Sequence, residues 1–253
     1  MAAVKHFLDY AACNPKATVR FRESDMKLQI SSDAAYLVKP QARSRRGGDF
    51  YLGDRLKDPL KHPTLAEKQA EPKQGSILCQ SHVIKEVCSA ASEAEVAALF
   101  YNGKEACPLR VTLEELGWKQ DPTPMDTDNS TADGIANDTV KQRRSKAIDM
   151  RYYWIRDRCA QGQFLVYWAP GIKNRADYFS KSGHSPSHHR AVRYDYLHPP
   201  AQANFVMRGC VDLAVPGIHD SIPDASSDDD VAYSVTAAHS EVSAVIGSFG
   251  SFG

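Results

Sequence analysis

The sequence predicts a mixed α/β sheet with helices packed against it. Short runs near the start read as three strands joined by turns, which fits an antiparallel meander. Later strands are separated by helical segments, which fits parallel additions to the same sheet. The chain has 253 residues, 42% of them hydrophobic, enough for one large domain or one domain with tails.

Residues 1–17 read as a short helix, with Val4, Phe7, Leu8 and Ala11 on one face. Asn14-Pro15 ends it. Met26, Leu28 and Ile30 alternate with Lys27, Gln29 and Ser31, a strand pattern that puts Asp33 on the face opposite the apolar row. Gly47-Gly48 reads as a turn before a short strand at Phe50-Tyr51-Leu52, and 76–84 as the third strand. Between them, 54–75 is rich in Lys, Asp, Glu and Pro and reads as an irregular loop insertion.

A helix is expected from Ser89 to Leu116, capped by Ser89 or Ser92 and broken near Pro108. Cys88, Ala91, Ala98 and Leu99 share one of its faces, and Glu95 falls inside that apolar stripe. The pattern then gives a strand at 122–128, helices at 130–139 and 145–161, and a strand at 163–168. Ile148, Tyr152, Ile155 and Cys159 form the core face of the second helix. Tyr153 and Trp168 are read with Tyr152 as core aromatics rather than stacking platforms. After Pro170-Gly171, Asn174 caps a last helix.

Formal net charge is zero, but no Lys or Arg follows Arg208, while Asp212, Asp220, Asp224, Asp228, Asp229, Asp230 and Glu241 do. A basic body with an acidic tail fits a polyanionic partner or, more plainly, a solvated charged surface. The tail is expected to be largely disordered. Cys13, Cys79, Cys88, Cys107, Cys159 and Cys210 lack paired spacing and read as reduced intracellular thiols. No secretory leader is expected, because Lys5, His6 and Asp9 interrupt any apolar run. Nor does any stretch approach the ~20 apolar residues of a membrane span.

Asp33, Glu95, Asp128 and Asp177 each fall at an element boundary or in an apolar stripe. Taken singly, each has a plain reading: a strand-end turn for Asp33, an edge-placed Glu95, and helix-start support for Asp128 and Asp177. As an ordered set they sit inside the runs SDAAYL (32–37), ARSRRGG (42–48), SAASEAEVAALF (89–100), TDNSTADGIAN (127–137), RRSKAIDMRYYWIRDR (143–158) and NRADYFSK (174–181). Together these runs resemble the ribonuclease H region of copia-type retrotransposon pol polyproteins, over roughly 20–195.

The resemblance implies a ribonuclease H-like mixed five-stranded sheet. Residues 1–19 would be the end of the connection from a reverse transcriptase, 20–195 the ribonuclease H-like domain and 196–253 the tail. It implies Asp33, Glu95, Asp128 and Asp177 as catalytic metal ligands, with Glu93 and Asp126 as rivals for the second and third places. Two Mg²⁺ or Mn²⁺ ions are the implied cofactors, suited to all-oxygen ligands. The implied reaction is cleavage of the RNA strand of an RNA–DNA hybrid; the alternative is a co-opted binding module without cleavage. Arg143, Arg144, Lys146, Arg151 and Lys173 are the expected phosphate contacts. Expected partners are the hybrid and the rest of a pol polyprotein, with no membrane and no small-molecule cofactor, in a cytoplasmic particle or the nucleus. Polymerase, protease and integrase signatures are missing, so the chain alone is not expected to polymerise DNA.

One departure stands out. Cellular ribonucleases H usually carry a His shortly before the last Asp, and none lies between Trp168 and Asp177. His184, His188 and His189 follow instead, useful there only if the chain folds back. With no Cys or acidic residue at ligand spacing nearby, they are not expected to hold zinc.

Overall fold

The computed structural model describes residues 2–15, 17–70, 74–140, 149–181 and 184–197. Residues 198–253, with most of the acidic tail, lie outside them, as do Arg143, Arg144, Lys146, Ile148 and the Lys173 side chain. The described elements are α1 (Ala2–Cys13), β1 (Lys27–Lys39), β2 (Arg43–Gly53), α2 (Leu65–Ala70), β3 (Ser76–Val83), α3 (Ala91–Glu115), β4 (Thr123–Thr127), α4 (Ser130–Ala136), α5 (Asp149–Ala160), β5 (Phe164–Trp168), α6 (Asp177–Ser180) and α7 (Pro186–Tyr196). Among the described residues, no helix is long and apolar enough to cross a membrane.

One five-stranded sheet runs in the order β3-β2-β1-β4-β5. β1 pairs antiparallel with β2, and β2 with β3. β4 lies parallel to both β1 and β5. This is the meander with parallel additions that the sequence predicts. Leu28, Ile30, Phe50, Met125 and Val166 meet Val96, Leu99, Ala132, Ile135 and Ile155 in one core between the sheet and α3, α4 and α5. Burying such side chains contributes about 1.5–3 kcal/mol each.

Gly47 and Gly48 do not turn the chain; they lie inside β2. The turn falls at Pro40 to Ala42, where Gln41 and Ala42 adopt positive φ of 59° and 52°. The glycines are required for close approach instead. A Cβ on Gly47 would sit 2.4 Å from the Ala176 carbonyl oxygen and 2.7 Å from the Ser180 nitrogen, and one on Gly48 would sit 2.6 Å from Asn102 Oδ1. Their small size lets α6 and α3 rest directly on the sheet. Asn102, fully buried, fastens this junction: Nδ2 donates to Ser32 Oγ and to the Gly47 carbonyl, both at 2.9 Å, and Oδ1 accepts from Arg46.

α3 continues through Pro108 rather than breaking there. The proline is exposed, on the side where the carbonyl it leaves unbonded can reach water, and the packed opposite face carries the helix past it. Its N-cap is Ala90, without a side-chain bond; Glu93 reaches back to accept from the Ser89 amide at 2.6 Å. Asn174 does not cap α6 but precedes it, accepting from Ala176 N at 2.9 Å and donating to the Ser32 carbonyl at 2.8 Å.

The 54–75 insertion is partly ordered. Thr64 and Glu67 form a reciprocal capping box that starts α2. From α2, Lys68 reaches Asp126, which is buried in β4 and also accepts from Ser31 Oγ. Beyond α6, the chain folds back as α7, capped by Ser185, with Pro186 in its first turn. Tyr196 donates to the Arg175 carbonyl, His189 meets the Tyr178 hydroxyl at 2.7 Å, and Arg193 donates to Asn14 beside α1.

Gly47→Ala is expected to destabilise the fold by about 1–3 kcal/mol, and by more than Gly48→Ala. The first Cβ meets fixed backbone, the second a side-chain amide that can rotate. Urea midpoints of the two variants measure this directly, and a Gly47→Ala midpoint equal to wild type would show that α6 does not need the close approach.

Candidate active site

The parallel register builds the site. Ser31 pairs with Asp126 across β1 and β4, so two residues further along, Asp33 comes beside Asp128 at the end of β4. Glu95, at the start of the second turn of α3, approaches from the helix layer. One carboxylate oxygen from each of Asp33, Glu95 and Asp128 lies within 4.8 Å of the others. Asp33 and Glu95 are buried, and Asp128 is half-buried.

Hydrogen bonds aim these groups. Glu95 Oε1 accepts from Ala34 N at 3.1 Å and Oε2 from Thr127 Oγ1 at 3.3 Å. Asp33 Oδ2 accepts from the Ser180 hydroxyl. The Trp168 indole donates to the Asp128 carbonyl at 3.0 Å, and Gly171 leaves room for the Asp128 carboxylate, which a Cβ there would meet at 2.6 Å.

Asp177 begins α6, close enough for its charge to act on Asp33 and Asp128. Its oxygens group with His184 and His188 rather than with the three carboxylates. Lys181, one turn later, binds Asp177 Oδ1 and also feels Asp33 and Asp128. Its ammonium stands where cationic charge is most wanted.

The electrostatics follow from burial. Desolvation, opposed by the Ser180 bond and Lys181 and reinforced by Asp128 and Asp177, pushes the Asp33 carboxyl up to about 6. Glu95 is raised well above the usual range by burial, then by Asp33 and Asp128. Asp128 is raised by burial and, less, by Asp177 and Asp126, with Lys181 working against them.

The rivals separate cleanly. Glu93 caps the helix start at Ser89. Asp126 takes the ion pair with Lys68, away from the cluster. Arg151, an expected phosphate contact, is already engaged with Glu86 at 2.7 Å and lies over the Tyr101 ring. Tyr153 and Trp168 are not core aromatics: they are 61% and 49% exposed, because the apolar face of α5 runs through Ile155 and β5 ends at Trp168. Sequence reasoning gave Lys181 and Ser180 no role, although both sit one turn or less beyond Asp177, where a helix start puts them on the same side.

The carboxylates suit a hard divalent cation. All donors are oxygen, they converge from three elements, and their mutual repulsion is what a cation would relieve.

No family model matches the chain. Over 107 residues, 42% of its length, it is 33% identical to a retrovirus-related Pol polyprotein from transposon TNT 1-94 of Nicotiana tabacum, and the match spans 8% of that polyprotein. Among solved structures it is similar to the N-terminal ribonuclease H domain of a Mycobacterium tuberculosis protein (14% identity, 61% of this chain and 91% of that chain, TM-score 0.39). It is also similar to LC11 ribonuclease H1 from compost, solved with an RNA/DNA hybrid (14% identity, 60% of this chain and 92% of that chain, TM-score 0.42).

Without divalent cations, Asp33→Asn is expected to stabilise the protein at pH 7–8 by on the order of 1–3 kcal/mol. The folded Asp33 holds its proton to higher pH than the unfolded chain does. Its contribution to wild-type stability is therefore greatest below about pH 4 and is lost as pH rises through about 6. The gain from the substitution should fade toward pH 4. Thermal melts of both proteins in EDTA across this range provide the measurement; a pH-independent difference would count against a carboxylate whose charged form is penalised by burial.

Proposed function

We propose that this chain, homologous over part of its length to a retrotransposon Pol polyprotein and carrying a ribonuclease H-like fold, hydrolyses the RNA strand of RNA–DNA hybrids with divalent cations. The observation that carries the reading is the convergence of Asp33, Glu95 and Asp128 from three elements to within 4.8 Å. Burying like charges this closely is costly unless a cation shares the site.

Asp33, Glu95 and Asp128 would hold the cations, with Asp177 completing the set from α6. Bound there, a pair of Mg²⁺ or Mn²⁺ ions would lower the pKa of a water and offset charge on the leaving oxygen. Water adds to phosphorus as the bond to the 3′ oxygen breaks, and a proton ends on that oxygen, leaving a 5′-phosphate and a 3′-hydroxyl. The chain's own groups prepare this. The Ala34 amide and the Thr127 hydroxyl fix Glu95, and Ser180 fixes Asp33, so the acceptors are aimed before substrate arrives. Lys181 tempers the cluster's negative charge toward an incoming phosphate backbone. Trp168, held at Asp128 and half-exposed, offers a face for stacking. The RNA strand would be told from DNA by its 2′-hydroxyl in the wide minor groove.

Asp128→Asn keeps side-chain size and removes charge. Hybrid cleavage in Mg²⁺ is expected to fall by more than about 100-fold, with hybrid binding retained or tightened, since basic residues dominate affinity. Glu93→Gln is the matched control and should cleave like wild type. Asp126→Asn is unsuited to that use: it leaves the half-buried Lys68 ammonium with the Tyr167 hydroxyl but no counter-charge, which should cost about 3 kcal/mol, read as a lowered Tm. Wild type that binds hybrid but never cuts it in Mg²⁺ or Mn²⁺ would transfer the chain to the binding-module reading.

A further inference from the structure

We propose that Asp177, His184 and His188 form a second metal site, of zinc class, where the chain turns from α6 into α7. One ligand atom from each lies within 4.8 Å of the others. The sequence offers no third ligand beside the histidines and so no expectation of zinc; the structure brings the Asp177 carboxylate to them from the preceding helix. The donor set is two imidazoles and one carboxylate, which leaves a fourth position open for water. Imidazole nitrogen favours zinc-class ions over Mg²⁺, so this site and the all-oxygen cluster select different metals.

The histidines are oriented for the task. His184 Nε2 lies 3.2 Å from the Tyr178 carbonyl oxygen. A carbonyl only accepts, so Nε2 carries the proton and Nδ1 the lone pair. A ligating histidine is commonly held by such a bond from its other nitrogen to a backbone carbonyl. The His184 ring stacks on Tyr178 at 4.9 Å and 7°, and on His188 at 4.8 Å and 24°. The His188 backbone is fixed in turn, because its amide donates to Ser185 Oγ, the N-cap of α7, at 3.2 Å. Lys181 holds Asp177 Oδ1; a carboxylate has two oxygens and can serve both.

A bound ion would clasp α6 to α7 and fix the carboxylate that the cleavage reading places at the edge of the catalytic cluster. The site does not depend on that reading. Its test is calorimetric titration of the full chain with ZnCl₂ in excess Mg²⁺, with no nucleic acid present. Wild type and Asp33→Asn should take up zinc with similar affinity, whereas His188→Ala and His184→Gln should each lose more than about 100-fold, beyond the 10–100-fold typical of removing an outer-shell partner. Zinc affinity unchanged in both histidine variants overturns the site. Cobalt(II) bound to wild type offers a check that requires no variant. Four-coordinate binding with nitrogen ligands absorbs visible light far more strongly than six-oxygen coordination, and a weak, six-oxygen-like spectrum would also overturn it. A failure of hybrid cleavage alone, with zinc uptake intact, would strike the nuclease reading and leave this one standing.

Discussion

Mutual repulsion among Asp33, Glu95 and Asp128 is the constraint around which this fold is arranged. Left to themselves, three carboxylates within 4.8 Å of one another would separate or take up protons; burial first, and the charges of Asp128 and Asp177 after it, push Asp33 up to about 6. They stay together because each is fixed by something stiffer than a side chain. Asp33 and Asp128 are set by strand register, and Glu95 by a helix whose neighbouring residues, Ala94 and Val96, are fully buried. The donors around them, the Ala34 amide and the hydroxyls of Thr127 and Ser180, offset only part of the cost of burial. Lys181 supplies positive charge from the C-cap of a helix of four residues.

So short a helix cannot hold its own position; its neighbours do. Asn174 ties its approach to the Ser32 carbonyl. Arg175, buried against Asp49 and lying over the rings of Tyr51 and Tyr196, pins the next residue to the outer half of the sheet. Gly47 lets the backbone settle where any side chain would intrude. The second cluster, Asp177 with the two histidines, continues the same packing outward, with Tyr178 as the shared surface beneath.

Elements whose cause is local were legible in the sequence. The alternation of Leu28 and Ile30 gave β1, and the apolar stripe of α3 singled out Glu95 over Glu93. The order of the strands gave the sheet. What was not legible has non-local causes. Gly47 and Gly48 carry the composition of a turn, and only the arrival of α6 and Asn102 explains them. Pro108 reads as a break until the packed face of α3 is seen to carry the helix past it. Lys181 looks like any surface lysine until Asp33 and Asp128 come round to face it. Two misses were readable: the Thr64–Glu67 capping box that starts α2, and Ser185-Pro186, a plain start signal for α7.

The Asn174–Ser32 bond spans 142 positions of sequence, and that separation has a consequence for synthesis. As the chain leaves the ribosome, β1, α3 and β4 emerge with all three carboxylates long before α6 follows. Through that interval the strands can pair, yet the cluster has neither Ser180 nor Lys181 to temper it. The nascent sheet therefore lacks both groups until α6 arrives. Such long-range closure slows folding, and a chain that stalls ahead of Asn174 would present an open, negatively charged seam to the chaperones that receive it.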